Sequence, residues 1–358
     1  MTGDGERTLQ GCNTWTALDS GWPESNHDYK DKVREVRMKR QVLLLLAVAA
    51  MVVPTPSLAA DVVNVANVSR TLFSLPFWVA QHRGFMKEEG LETTSSILDN
   101  AEKINAALRA GAMQIAMGTP EAVIMDGYQG GTLRIIAGNT GKLPHFIIAR
   151  PHIKTLQDLR GANFGILSEK EGSTYVVQDI AKAIGLTPAD YTMTAVGGAP
   201  TRWKLLPAGK IDVGLQPFPL SYIAEDAGFT NLGSVIPFVP DWQFTTINAD
   251  MTWAAKNRDV VVRFLRAVQR GRDFMRSHPQ ETAEIAAKEL QATVALSARA
   301  MADAERLAIL DPNLNVTEPG LRKVVATLQL AGDIAPGEKF DLARFTDLSF
   351  WKASREKK

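Results

Sequence analysis

From Asp61 onward, short apolar runs alternate with helical stretches, and the units are punctuated by glycine. Strand–helix alternation of this kind builds an open α/β sheet rather than a sandwich or a helix bundle. Strands are expected over 61–68, 91–98, 113–117, 133–137 and 145–149. Pro76 at a first helical position opens a helix over 77–83, and Gly84 closes it where a left-handed residue is wanted. Asn100 caps the next helix, whose apolar face is Ile104, Ala107 and Leu108, and Thr119-Pro120 starts a third through Met125. Residues 139–144 link to the strand at 145–149, after which the alternation restarts. A short capped helix over 154–161 precedes a fresh first strand over 163–167, a helix over 173–184 and a strand over 192–196. A helix over 200–208 and a strand over 211–215 follow. Past Asp241 the pattern turns helical, over 252–277, 279–291 and 296–310, and that block must pack onto an existing sheet.

The start of the chain reads differently. Met38-Lys39-Arg40 is a short positive segment, followed by 12 apolar residues over 42–53, too few to span a bilayer and right for the core of an export signal. Pro54 and Pro56 break any helix, and Ser57-Leu58-Ala59 offers small residues to a signal peptidase, so 38–59 is expected to be a signal peptide and the mature chain periplasmic. Residues 1–37 are polar with little periodicity, contain no convincing helix or strand, and are expected to be a non-native or disordered extension. The single cysteine, Cys12, leaves with them, which suits an oxidising compartment and excludes thiol catalysis and a cysteine-built metal site. No later cysteine exists to carry a lipid.

Forty basic against 39 acidic residues give a formal net charge of +1, so no global field holds a nucleic acid. The five histidines show no metal-ligand spacing, and no GxSxG elbow, GxxxxGK[ST] loop or GxGxxG fingerprint occurs between a strand and a helix. Two helix starts point to anion binding instead. Thr119-Pro120 and Gly172-Ser173-Thr174 each follow a strand, so free backbone N–H groups, the positive dipole end and a hydroxyl converge there. Ordinary capping explains the same residue types. Arg202 and Lys142 are the full positive charges nearby, but an arginine on a helix after Pro200 is expected at the solvated surface, leaving dipoles and hydroxyls to hold the ligand without a buried arginine.

Four stretches together resemble one family. They are 76–91, with its Gly84-Phe85-Met86-Lys87-Glu88-Glu89-Gly90-Leu91 turn; 106–120; 155–161 with Gly172-Ser173-Thr174; and 208–217. Their order and spacing are similar to the substrate-binding proteins of ABC importers, in the group that takes up sulfonates, nitrate, taurine and thiamine-precursor pyrimidines. The resemblance implies an α/β, two-lobed periplasmic-binding-protein fold (type II), each lobe a mixed sheet flanked by helices, joined by two hinge crossings near 139–145 and 240–246. Lobe one would comprise 60–144 plus 243–358, and lobe two 145–242. It implies a binding component rather than an enzyme, with no cofactor and no nucleic acid. The implied partners are a small-molecule ligand in the cleft, an inner-membrane ABC permease and its ATPase, and the chain would be a monomer.

Ligands of open α/β sheets bind at the carboxyl ends of strands. The expected ligand-binding residues are accordingly Ser69, Ser74, Leu75 and Phe77 by family position, Thr119, Ser173 and Thr174 at the helix starts, Asn139 and Gln216 at strand ends, and Trp242 in a Pro-Asp-Trp loop. Phe73, Trp203 and Phe218 are further rings near those loops. The expected ligand is a small sulfonate or carboxylate, aromatic ones included. The alternatives are an aminopyrimidine facing Glu121 or Glu171, or an enzyme of pyrimidine or thiamine synthesis on the same fold. Thiamine-pyrimidine synthases use a cysteine-rich motif that the mature chain lacks, and related menaquinone-pathway enzymes are cytoplasmic, which the export signal opposes. A sensor presenting ligand to a membrane receptor would carry the same signature.

Overall fold

Two five-stranded mixed sheets are the framework of residues 59–358, one of the two units into which the chain divides. The computed structural model describes residues 31–32, 34–38, 60–170 and 172–356. The expected signal segment beyond Met38, Cys12 and Glu171 lie outside the described residues. In the first unit, 31–32 and 34–38 are helical and exposed, where no helix was expected. Lys32, Arg34, Glu35 and Arg37 are good helix formers, so propensity outweighs the missing apolar stripe.

The first sheet runs β2(Leu91–Ile97)-β1(Asp61–Asn67)-β3(Ile115–Gly118)-β10(Thr245–Asp250)-β4(Leu133–Thr140), with β10 antiparallel to both neighbours. The second runs β7(Thr192–Ala195)-β6(Asn163–Ile166)-β8(Val213–Pro217)-β5(His145–Ala149)-β9(Thr230–Ser234), with β5 antiparallel to both of its neighbours. Each sheet is thus a parallel βα unit into which one strand from beside a crossing is inserted backwards. The chain crosses between sheets at 141–144 and again at 235–244.

Local signals account for many of the elements. Asn100 accepts a hydrogen bond from Lys103 N at the start of Ala101–Arg109, Gly84 sits at φ 76°, and Thr155 with Asp158 forms a reciprocal cap around the short helix Leu156–Leu159. Tertiary packing changed the rest. β4 continues through Thr140, so Asn139 and Thr140 belong to a strand rather than a linker, held there by pairing with β10. β10 itself, Thr-Thr-Ile-Asn-Ala-Asp, is polar yet wholly buried, and neither alternation nor an apolar run betrays it. The helix expected over 252–277 is two helices, Met251–Ala254 and Arg258–Ser277. Asn257 donates its side-chain amide to Trp253 O and breaks the helix between them, as short amides do when they compete for backbone carbonyls. The helix expected over 296–310 ends at Arg306, because Leu310 and Asp311 turn to bond the edge of β4 at Thr140 and Asn139. The helices Leu220–Asp226, Glu318–Leu330 and Ser349–Ser354, and strand β9, were not anticipated.

Candidate functional site

Where the strand ends of the two sheets face each other, the chain encloses a small cavity of about 30 Å³, partly open to solvent. Lobe one contributes Val68, Ser69, Phe73 and Thr119 from the turns after β1 and β3. Lobe two contributes Leu167, Ser173, Gly198 and Arg202 from the turns after β6 and β7, and His145 and Phe244 enter beside the two crossings. Phe73 meets Phe244 edge-on, with centroids 4.9 Å apart, and His145 meets Phe244 edge-on at 4.7 Å, so one wall is aromatic.

Arg202 sets the charge of this site. It is 3% exposed, far from the solvated position expected of it. The helix Ala199–Leu205 starts at Gly198, with Pro200 in its first turn, and turns Arg202 inward over β6. Gly165 of β6 makes room for the stem: a Cβ there would lie 3.3 Å from Arg202 Cγ. The guanidinium donates to Ser173 Oγ at 3.3 Å, and the same oxygen accepts from Leu167 N at 3.0 Å. Burial and then the charge of Arg202 hold the His145 imidazole well below its ordinary range, so the ring is neutral near pH 7. His145 Nδ1 and Thr119 Oγ1 line the cavity without hydrogen-bond partners, and Asn67 Oδ1, Asn139 Oδ1, Ser168 Oγ and Trp242 Nε1 are likewise buried without partners near these strand ends. Buried polar atoms are ordinarily satisfied, so such a concentration marks a place where a bound molecule or water completes the bonding.

The lobes also touch directly around the cavity. Asp99 of lobe one accepts from Gly198 N and from Thr201 Oγ1, the latter at 2.8 Å. Asp333 accepts from Tyr175 OH at 2.8 Å and pairs with Lys170, Lys323 pairs with Asp179 at 2.9 Å, and Asp303 accepts from Tyr222 OH.

Of the residues singled out from sequence, Ser69, Phe73, Thr119, Ser173 and Arg202 meet at the cavity, Arg202 against the expectation that it would be solvated. The others sit beside it or away from it. Ser74 is buried in the short turn Leu72–Ser74, and Leu75 and Phe77 pack into the core of lobe one, Phe77 against Phe264. Asn139 ties Phe73 O to Thr245 Oγ1, and Thr174 donates to Ser168 O. The Gln216 amide, oriented by its neighbours, donates to Ala199 O and accepts from Trp203 N, which positions the Arg202 helix. Trp242 is fully buried, behind Gly172 rather than on the cavity wall, and Lys142 is exposed and reaches Leu307 O. His145 and Phe244 were missed, although their positions at the expected crossings were a usable signal.

A model of the family described as NMT1/THI5 like matches residues 73–282. The chain belongs to the NMT1/THI5-like family. Among relatives of this NMT1/THI5-like chain, a Brucella abortus (strain 2308) protein named "Putative binding protein BAB2_1146" is 23% identical over 258 residues, 71% of this chain and 80% of its own length. The alkanesulfonate-binding protein SsuA from Xanthomonas axonopodis pv. citri, solved with MOPS bound, superposes with a TM-score of 0.64 at 14% identity over 78% of this chain and 96% of its own. The periplasmic nitrate-binding protein NrtA from Synechocystis PCC 6803 gives 0.69 at 10% identity over 82% and 88%. The fold is therefore the type II periplasmic-binding-protein fold, as the resemblance implied.

Proposed function

We propose that this chain is the extracytoplasmic solute-binding component of an ABC importer, capturing a small organic anion, a sulfonate or carboxylate, for delivery to a permease and its ATPase. Lobe one is 60–144 plus 243–358, lobe two is 145–242, and closure about the two crossings brings Arg202 and Ser173 against Ser69 and Thr119. The observation that carries the anion reading is Arg202. Among the described residues it is the charged side chain lining the cavity, buried beside the Ser173 hydroxyl and a neutral imidazole. A guanidinium in low dielectric attracts an anion far more strongly than a helix dipole of about half a charge does. The edge-on rings of Phe73 and Phe244 suit an apolar or aromatic body behind the anionic group.

A thermal-shift panel tests this. Ligand at about 100 times its dissociation constant stabilises by roughly 2.7 kcal/mol, and sulfonates or carboxylates are expected to do so in the wild-type chain. Arg202→Gln is expected to weaken binding by about 2 kcal/mol or more, roughly 30-fold, and Ser173→Glu to abolish it by placing like charge against the ligand. A second reading rests on Glu121, whose carboxylate is fully buried and faces Gly172 across the cleft, within 3.1 Å of where a Cβ there would sit. Stabilisation by aminopyrimidines and by no anion would replace the first reading with that one. Export is checked separately: the N-terminus of periplasmic protein is expected at Ala60 or Asp61.

A further inference from the structure

We propose that His145 takes up a proton when an anion enters the cavity beside Arg202, so that anion capture and protonation of this imidazole are linked. The inference rests on the anion reading above and adds a specificity-determining residue to it. His145 is the first residue of β5, 4% exposed, and its backbone is fixed by pairing opposite Pro217 and by accepting a hydrogen bond from Val235 N. Its ring stands edge-on to Phe244 and tilted toward Phe73 at 6.0 Å, while Nδ1 lacks a hydrogen-bond partner and the residue lines the cavity. Phe73, Pro217, Val235 and Phe244 carry no titratable group. Among the described residues, Arg202 is the charged side chain whose field reaches the ring.

In the resting chain, burial and that field keep the imidazole neutral. An anion paired with Arg202 cancels the field and offers an acceptor to a ring N–H, and both changes favour imidazolium over imidazole. The proton comes from solvent, and no covalent bond is made or broken. Because the bound form holds the proton more tightly than the free form, affinity rises as pH falls from the bound-state pKa toward the free one. It is level outside that window and changes by at most about tenfold per pH unit inside it.

Calorimetric titration of the wild-type chain with nitrate and with benzenesulfonate tests the link, since both anions keep one charge from about pH 5 to about pH 8. Two cationic buffers of different ionisation enthalpy, bis-tris and imidazole, are used at one fixed chloride concentration, so that the competing anion is the same in both. The expected result is a buffer-dependent heat reporting a fractional proton taken up, with the imidazole signal of His145 in wild-type NMR spectra moving toward the protonated form on adding anion. His145→Gln keeps a hydrogen-bonding side chain and is expected to bind with no buffer dependence and a flat pH profile. Wild-type binding with identical heats in both buffers and an unmoved His145 signal overturns the inference and leaves the anion reading standing. Proton uptake that survives in His145→Gln overturns it too, and a wild-type chain that binds neither these anions nor others in the panel overturns both.

Discussion

In strand order the two lobes are copies, β2-β1-β3-β10-β4 against β7-β6-β8-β5-β9, yet they bring opposite chemistry to the cleft. Lobe one presents the acceptors Asp99, Asp303 and Asp333, while lobe two presents the Gly198 amide, Thr201, Tyr175, Lys170, Tyr222 and Arg202. Lys323 with Asp179 is the one reversed pair named among these contacts. The sheet order follows from core packing and does not constrain the loops at its edge, which are free to carry any charge. Here that freedom is used to make the two faces complementary.

Two buried glycines, one in each lobe, differ in what a methyl group would meet. In lobe one the helices Leu75–His82 and Arg258–Ser277 cross at Gly271, where a Cβ would lie 2.1 Å from Pro76 O. Gly271→Ala is expected to cost about 2–3 kcal/mol, because backbone must move. In lobe two a Cβ on Gly165 meets the far end of Ile211 at 2.6 Å, which has rotamers to escape by, and then Val196 at 3.2 Å and the Arg202 stem at 3.3 Å, which need give only slightly, so Gly165→Ala is expected to cost less, about 1 kcal/mol. Denaturant midpoints measure both, and equal losses would remove this difference between the lobes.

The complementary faces are tested next, at Asp303. Hydrogen bonding from Tyr222, helped by Arg306, holds the Asp303 carboxyl below its ordinary value despite partial burial. A depressed carboxyl stabilises the state that contains its partners at pH above the unperturbed value and loses that contribution as pH falls through the depressed one. Closure is therefore expected to weaken in acid below about pH 4, read as an increase in the radius of gyration. Asp303→Ala is expected to weaken ligand binding by about 1 kcal/mol, roughly fivefold, at neutral pH without touching the cavity. Unchanged affinity would mean that the interlobe contacts are incidental.

The first crossing is expected to contribute least to anion binding. Lys142 lies at the first crossing, exposed, with its ammonium against Leu307 O. Lys142→Ala is expected to change anion affinity by less than about 0.5 kcal/mol, in contrast to the loss at Arg202. A large effect in a binding titration would place a second cation in the ligand's field.

Much of the scaffold was legible because its signals are local. Glycine at positive φ after helices, as at Gly84 and Gly185, the Asn100 cap and the Pro200 start are set within a few residues of chain. The candidate site was legible in part. Ser69, Thr119 and Ser173 follow strand ends, so the alternation alone brings them to the cleft side. Trp242 was misplaced because a Pro-Asp-Trp sequence reads as an exposed loop, whereas the crossing that carries it is packed between core elements.

Periodicity, caps and turns act over one or two helical turns, so the α/β alternation and the polar turns after the strands were readable from the chain alone. Polar β10 fills a central position, Arg202 is buried over Gly165, and His145 and Phe244 close one wall through contacts between distant parts of the chain. Burial is a property of what packs around a residue. The partners here, Phe73, His145, Ser173, Arg202 and Phe244, lie in segments that become neighbours once both crossings are in place.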